Sequence, residues 1–204
     1  MQKLFQKQTK LAKKIIAKDI LTKKIRTVAA INRAFSGNKI ISASVVCSWP
    51  DLELIEKRFA IFKTDFPYKA GLLVYIEGPA IILSYKKLKA KPDILLINAS
   101  GICHPRFLGL ASHVGLLLNV ATIGITKSLL CGEEKNNKIY FKNKLVGYKL
   151  KNIYISPGHK ISLSTAIKIV KSCLKGHKLP EPLYLAHQYA NEIKIKTNKS
   201  LYKL

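Results

Sequence analysis

The chain has 204 residues, 48% of them apolar, enough for one domain with a buried core and short for two. Its 36 Lys and Arg against 11 Asp and Glu give a formal net charge of +25, which points away from acidic small molecules and toward an anionic polymer. Nucleic acid leads that expectation and an anionic membrane surface follows it. Only Arg26, Arg33, Arg58 and Arg106 are arginines, and the excess of Lys, Ile and Asn matches an A/T-rich codon bias, so charge alone decides nothing. The cysteines Cys47, Cys103, Cys131 and Cys173 lie far apart without zinc-ligand spacing, which fits a reducing cytoplasm. No apolar run reaches the ~20 residues of a membrane span.

In chain order, residues 1–25 read as a basic amphipathic helix, with Leu4, Leu11, Ile15, Ile16 and Ile20 at helical spacing. A helix packed on a sheet with a solvated Lys face is the expectation, and contact with phosphates or a membrane surface is the alternative. "TVAAIN" and "KIISASVVCSW" read as strands joined by a turn in "FSGNK", and "LELIEKRFAIFK" as a third, giving an antiparallel meander. After the turn "FPYKAG", "GPAIILSYKKLK" suits a helix with Pro79 in its first turn. "DILLIN" and "VATIGI" are wholly apolar strands of the kind covered on both faces, separated by the helix "GLASHVGLLLN". A hairpin in "KIYFKNKLVGYKL", turning at Lys142 to Lys144, precedes two helices, "ISLSTAIKIVKSCLKG" and "PEPLYLAHQYANEIK". The pattern predicts an α/β fold, a ribonuclease H-like mixed sheet flanked by helices, as one domain over residues 1–204.

Five blocks, "FPYKAGLLVYIEGP", "NASGICHPRFLGLASHVGLLL", "ATIGITKSLLCG", "ISPGHKISLSTA" and "LPEPLYLAH", resemble the endonuclease V family in order and spacing. The resemblance runs from about Val28 to His187, with a shortened segment near Glu133 to Lys151. It implies a magnesium-dependent nuclease, with Mn2+ as the substitute ion, that nicks DNA at the second phosphodiester 3′ to a deaminated base such as inosine. Some members act on RNA, and the expected protein is a cytoplasmic monomer without a membrane role.

By the same resemblance, three metal-binding acids fall on Asn32 in "VAAINRAF", Glu77 in "YIEGP" and Asn98 in "INASGICHPR". His104, Lys127 and His187 fall on polar positions around metal and scissile phosphate, and Tyr68 on the wedge that opens the strand, although its turn reads PYKAG with the second Pro missing. Arg106 could hold phosphate through its planar fork or cap its own loop. Two of three expected carboxylates are therefore neutral amides. Magnesium prefers anionic oxygen, so loss of two charges should weaken metal binding and impair cleavage, leaving nucleic-acid binding as the alternative function. Among the other acids, Glu133 and Glu134 are the candidates able to reach inward from a loop.

Overall fold

The computed structural model of the chain describes residues 2–20, 23–67 and 71–201. Three long strands, β1 (Thr27–Ser36), β2 (Lys39–Ser48) and β3 (Leu54–Lys63), form the expected meander. β1 runs four residues beyond Asn32, because Ser36 pairs with Lys39 across a two-residue turn in which Gly37 takes φ +55°, a backbone state that glycine adopts freely. Then follow α2 (Leu73–Lys86), β4 (Ile94–Ile97), α3 (Leu110–Leu118) and β5 (Ala121–Thr126), after α1 (Gln2–Ala12) at the start of the chain. The second half holds β6 (Glu133–Lys135), β7 (Lys138–Phe141), β8 (Lys144–Leu150), β9 (Ile153–His159), α4 (Leu163–Ser172) and α5 (Glu181–Leu201).

Among the described residues, nine strands share one sheet in the order β3-β2-β1-β4-β5-β9-β8-β7-β6, with β1, β4 and β5 parallel and the other pairs antiparallel. This is the ribonuclease H-like mixed sheet expected from the sequence. Side chains alternate across it with the two-residue period of a strand. Ala29, Ile31, Leu95 and Ile97 pack with Val74 and Ile81 of α2 and Val114 of α3. Val28, Ala30, Leu96 and Ile123 face the other way, against Ala166 and Ile169 of α4 and Leu183 and Ala186 of α5. Each fully buried Leu or Ile contributes about 1.5–3 kcal/mol, so the short apolar β4, sealed on both faces, fixes where its last residue and Asn98 emerge.

Three expectations need correction. The first helix ends at Ala12 and not near residue 25, because the following backbone bonds elsewhere. Ile16 N donates to His159 Nδ1 at 3.3 Å and Ile20 N to Lys160 O at 3.2 Å. Asp19 accepts from Ser162 N, Ser162 Oγ and Thr165 Oγ1 at 2.8, 2.9 and 2.8 Å, at the positive end of α4 where a carboxylate is favoured. Second, α2 begins at Leu73, so Pro79 lies inside it and Glu77 stands on the helix rather than ahead of it. Third, the segment between the hairpin and α4, for which no strand is expected from the sequence, is β9, a full strand near the sheet centre whose extra residue Gly158 bulges opposite Thr122 and Ile123 of β5.

Candidate functional site

Ile31 of β1 pairs with Ile97 of β4, so the next residues, Asn32 and Asn98, emerge side by side. Asn98 Nδ2 donates to Asn32 Oδ1 at 3.0 Å. The same oxygen accepts from the backbone N of Arg33 at 2.9 Å, which identifies it as oxygen and requires the Asn98 atom facing it to be the amide nitrogen. Asn32 Nδ2 points to Leu183 O of α5 over a long 3.5 Å. Two ionised carboxylates in these places would both be acceptors and would repel. Two amides satisfy each other.

On the opposite face of β1, Arg33 reaches Glu77 of α2. Arg33 Nε lies 2.8 Å from Glu77 Oε2, with the side chains only 9% and 8% exposed. The contact is an ion pair by distance, but the N–H is poorly aimed at Oε2, so neither atom gains a directed hydrogen bond, and buried Arg33 Nη1 has no protein acceptor. Arg33 Nη2 donates to Asn98 O at 3.0 Å, so the guanidinium joins Glu77 to the residue that closes the asparagine pair. Burial lowers the arginine's pKa, while the charge of Glu77 acts to raise it. An arginine stays protonated in such surroundings.

The fit of a magnesium ion follows from this donor set. Mg2+ requires anionic oxygens in near-octahedral array. Asn32 Oδ1 already accepts from two donors, Asn98 presents its N–H side to it, and Glu77 has a guanidinium against it. One carboxylate and one guanidinium sum to zero formal charge. Among the described residues no cluster of three or more His, Cys, Asp or Glu could hold a metal ion. These residues do not fit the ion that the resemblance implies. Glu133 and Glu134 cannot supply what is missing: both lie on exposed β6, where they pair with Lys135 and Lys149.

Beyond Asn98 the chain forms a loop held by β9. Gly101 N donates to Ser156 Oγ at 2.7 Å and Ile102 N to Pro157 O at 2.8 Å. Gly101 and Gly109 must be glycines, since a Cβ at either would fall 2.1 or 2.3 Å from a backbone oxygen. Between this loop and α2 lies a cavity with about 80 Å³ of room for the centres of water-sized spheres, lined among others by Gly71, Val74, Ala99, Ser100, His104 and Gly109.

One rim of that cavity is a clasp on Gly71. Its carbonyl accepts from Gln8 Nε2 at 2.8 Å and from Arg106 Nη2 at 2.9 Å, with the His104 ring close beside it. Arg106 Nε donates to Gln8 Oε1 at 2.6 Å, and its guanidinium lies 4.2 Å from the Phe5 ring centroid. The Arg106 fork therefore ties α1 to the turn, and its loop-organising alternative describes the contacts made. His104 Nδ1 accepts from Arg106 N at 3.2 Å. Burial, then the charge of Arg106, push His104 down to about 4, so it is neutral at pH 7. Gly71 takes φ +78°, and a Cβ there would sit 2.5 Å from Arg106 Nη2.

The structure brings Asn32, Asn98 and Glu77 into one connected group, with His104 on the adjoining cavity. Lys127 is exposed just past β5. His187 is exposed on α5, bonded to Asn191 at 3.1 Å, one helical turn beyond Leu183. Tyr68 lies outside the described residues. Sequence reasoning missed Arg33 and Gln8. Both left a signal: Arg33 is an arginine inside an apolar strand of a chain that otherwise uses lysine, and Gln8 is a polar residue on the apolar stripe between Leu4 and Leu11.

The endonuclease V family model matches residues 9–188. Endonuclease V of Dictyoglomus turgidum is 38% identical over 200 residues, covering 91% of this chain and 87% of the relative. That of Rippkaea orientalis is 40% identical over 200 residues, covering 90% and 87%. Endonuclease V of Ciona intestinalis, solved in complex with a 24mer DNA containing an inosine followed by a ribo-adenosine, superposes with TM-score 0.86 at 29% identity, over 96% of this chain and 98% of that one. A variant of the Ciona protein with one Asp changed to Asn, in complex with a 23mer DNA that also contains an inosine, gives 0.84 at 29% identity over 94% and 95%. The family model, the identities and the superpositions agree along nearly the whole length: the chain belongs to the endonuclease V family.

Proposed function

We propose that this protein recognises a deaminated base, inosine foremost, in a DNA strand, with RNA as the second substrate, and that its nicking of the second phosphodiester 3′ to that base is impaired to the point of absence. The observation that carries the reading is the hydrogen bond between Asn98 Nδ2 and Asn32 Oδ1, a contact that two metal-binding carboxylates could not make. The inosine-containing DNA in the Ciona complexes supports the choice of ligand, and the Asp-to-Asn variant among them supports binding that outlasts such a change.

Each residue then has a task that needs no metal. The flipped base enters the cavity between Gly71, Ser100 and Gly109, and Tyr68, by the family resemblance, wedges the strand open. Gln8 and Arg106 fix the Gly71 carbonyl at the cavity rim. Exposed Lys127 and His187 meet the backbone phosphates, where an ammonium acts as a point charge.

The test is a gel shift and a nicking assay on the same strands, one with a single inosine and one without, in magnesium. The expected result is a preference of about tenfold or more for the inosine strand, the worth of roughly one or two good polar contacts, and no cut. Equal affinity for the two strands would remove the recognition claim. A cut at that bond would remove the impairment.

A further inference from the structure

We propose that Arg33 is the resident cation of this centre: its guanidinium occupies the role of a divalent ion beside Glu77 and makes the protein's engagement of nucleic acid independent of metal. The inference deepens the function proposed above, since it rests on this centre being the disabled counterpart of a metal site.

Three observations meet at Arg33. Its Nε is 2.8 Å from Glu77 Oε2, the one carboxylate of the expected trio that remains. Its Nη2 is 3.0 Å from Asn98 O, so the guanidinium lies between the two elements, α2 and the end of β4, that a bridging ion would join. Its Nη1 is buried without an acceptor among the described residues, so the guanidinium fills the space beside Glu77 with positive charge, and a further cation there would meet that charge.

The consequence differs from that of two neutral asparagines alone. If the asparagines were the whole defect, restoring Asp at positions 32 and 98 would rebuild the metal site. With Arg33 in place, Glu77 stays engaged with a fixed, undissociable cation whose planar fork suits carboxylate oxygens, so the two restored carboxylates still lack their third acid. Metal binding returns only when the arginine leaves as well. An arginine in a merely structural ion pair would predict no such dependence.

Manganese binding, followed by electron paramagnetic resonance without nucleic acid, tests this in the full chain. The native protein and the Asn32→Asp/Asn98→Asp variant should retain no ion at about 1 mM, whereas addition of Arg33→Ser to that pair should tighten binding by about 100-fold or more. Tight binding by the native protein, or equal binding by the double and triple variants, would overturn the proposal. A second measurement needs no variant and so is immune to misfolding: anisotropy of the inosine oligonucleotide with native protein in EDTA and in magnesium. Affinities equal within about twofold are expected, and a tenfold gain in magnesium would overturn the proposal. An equal response of inosine and ordinary strands would remove the recognition claim but leave the metal comparison readable on either strand. If neither strand binds, the functional reading falls and the manganese result decides the role of Arg33.

Discussion

Two neighbouring parts of this cleft have been built by opposite means. At the centre formed by Asn32, Asn98, Glu77 and Arg33, charge has been cancelled: one guanidinium answers one carboxylate, and two amides close on each other. At the clasp around Gly71, the hydrogen bonds from Gln8 and Arg106 converge on one carbonyl beside the neutral His104 ring. A positioning site can be assembled from neutral donors and acceptors, whereas a metal site cannot survive the loss of its anions. The first part therefore does not fit a divalent ion, while the second keeps the rim of a cavity in place.

Separate perturbations of the two parts sharpen this contrast. The largest effect should come from Arg33→Ala, which strands the Glu77 carboxylate in a buried site at a cost of about 3–5 kcal/mol. Denaturant unfolding measures it, and a loss below about 1 kcal/mol would mean that the pair is not the tie described.

Acidification should act on the clasp instead. His104 and His113 are both lowered from 6.5 to about 4, each chiefly by burial, so the unfolded chain takes up protons at a pH where the folded chain does not. Stability is then fully present above pH 6.5 and is lost as pH falls toward 4, by at most about 1.4 kcal/mol per pH unit for each histidine. Melting temperatures recorded between pH 7 and pH 5 should fall, and a flat profile would contradict the buried neutral state.

Arg106→Leu comes next. It removes the bonds to Gln8 and Gly71 and leaves their groups short of a partner, for about 1–3 kcal/mol. It should also reduce the preference for inosine without changing manganese retention, and a variant that keeps its full preference would separate the clasp from recognition. The smallest effect belongs to Asp19→Ala at the start of α4, about 0.5–2 kcal/mol for a lost cap, with no change in strand preference. A shift in inosine preference there would show that the first segment reaches the site by a route other than α1.

Much of the frame could be read directly because strand period and burial agree in it. β1, β2, β4 and β5 show as apolar runs since both faces are covered, and Asn32, Asn98 and Glu77 follow from the motif blocks that place them. What escaped depends on contacts between distant segments. In β1 alternation sends Asn32 toward α5 and Arg33 toward α2, so nothing local says that Arg33 bends to Asn98 O and Glu77. The early end of α1 has the same origin, with backbone donors and Asp19 engaged by residues more than 100 positions away. β9 escaped because Pro157 and Gly158 are strand breakers that a strand holds only at an irregularity, here the bulge at Gly158 of β9 itself.

The central claim is that this centre binds without cutting, and single-turnover cleavage tests it most directly. Protein in excess over an inosine-containing strand, in magnesium and then in manganese, should give no product beyond that of Glu77→Gln. A nick at the second phosphodiester 3′ to the inosine, formed by the native protein and lost in Glu77→Gln, would contradict the account.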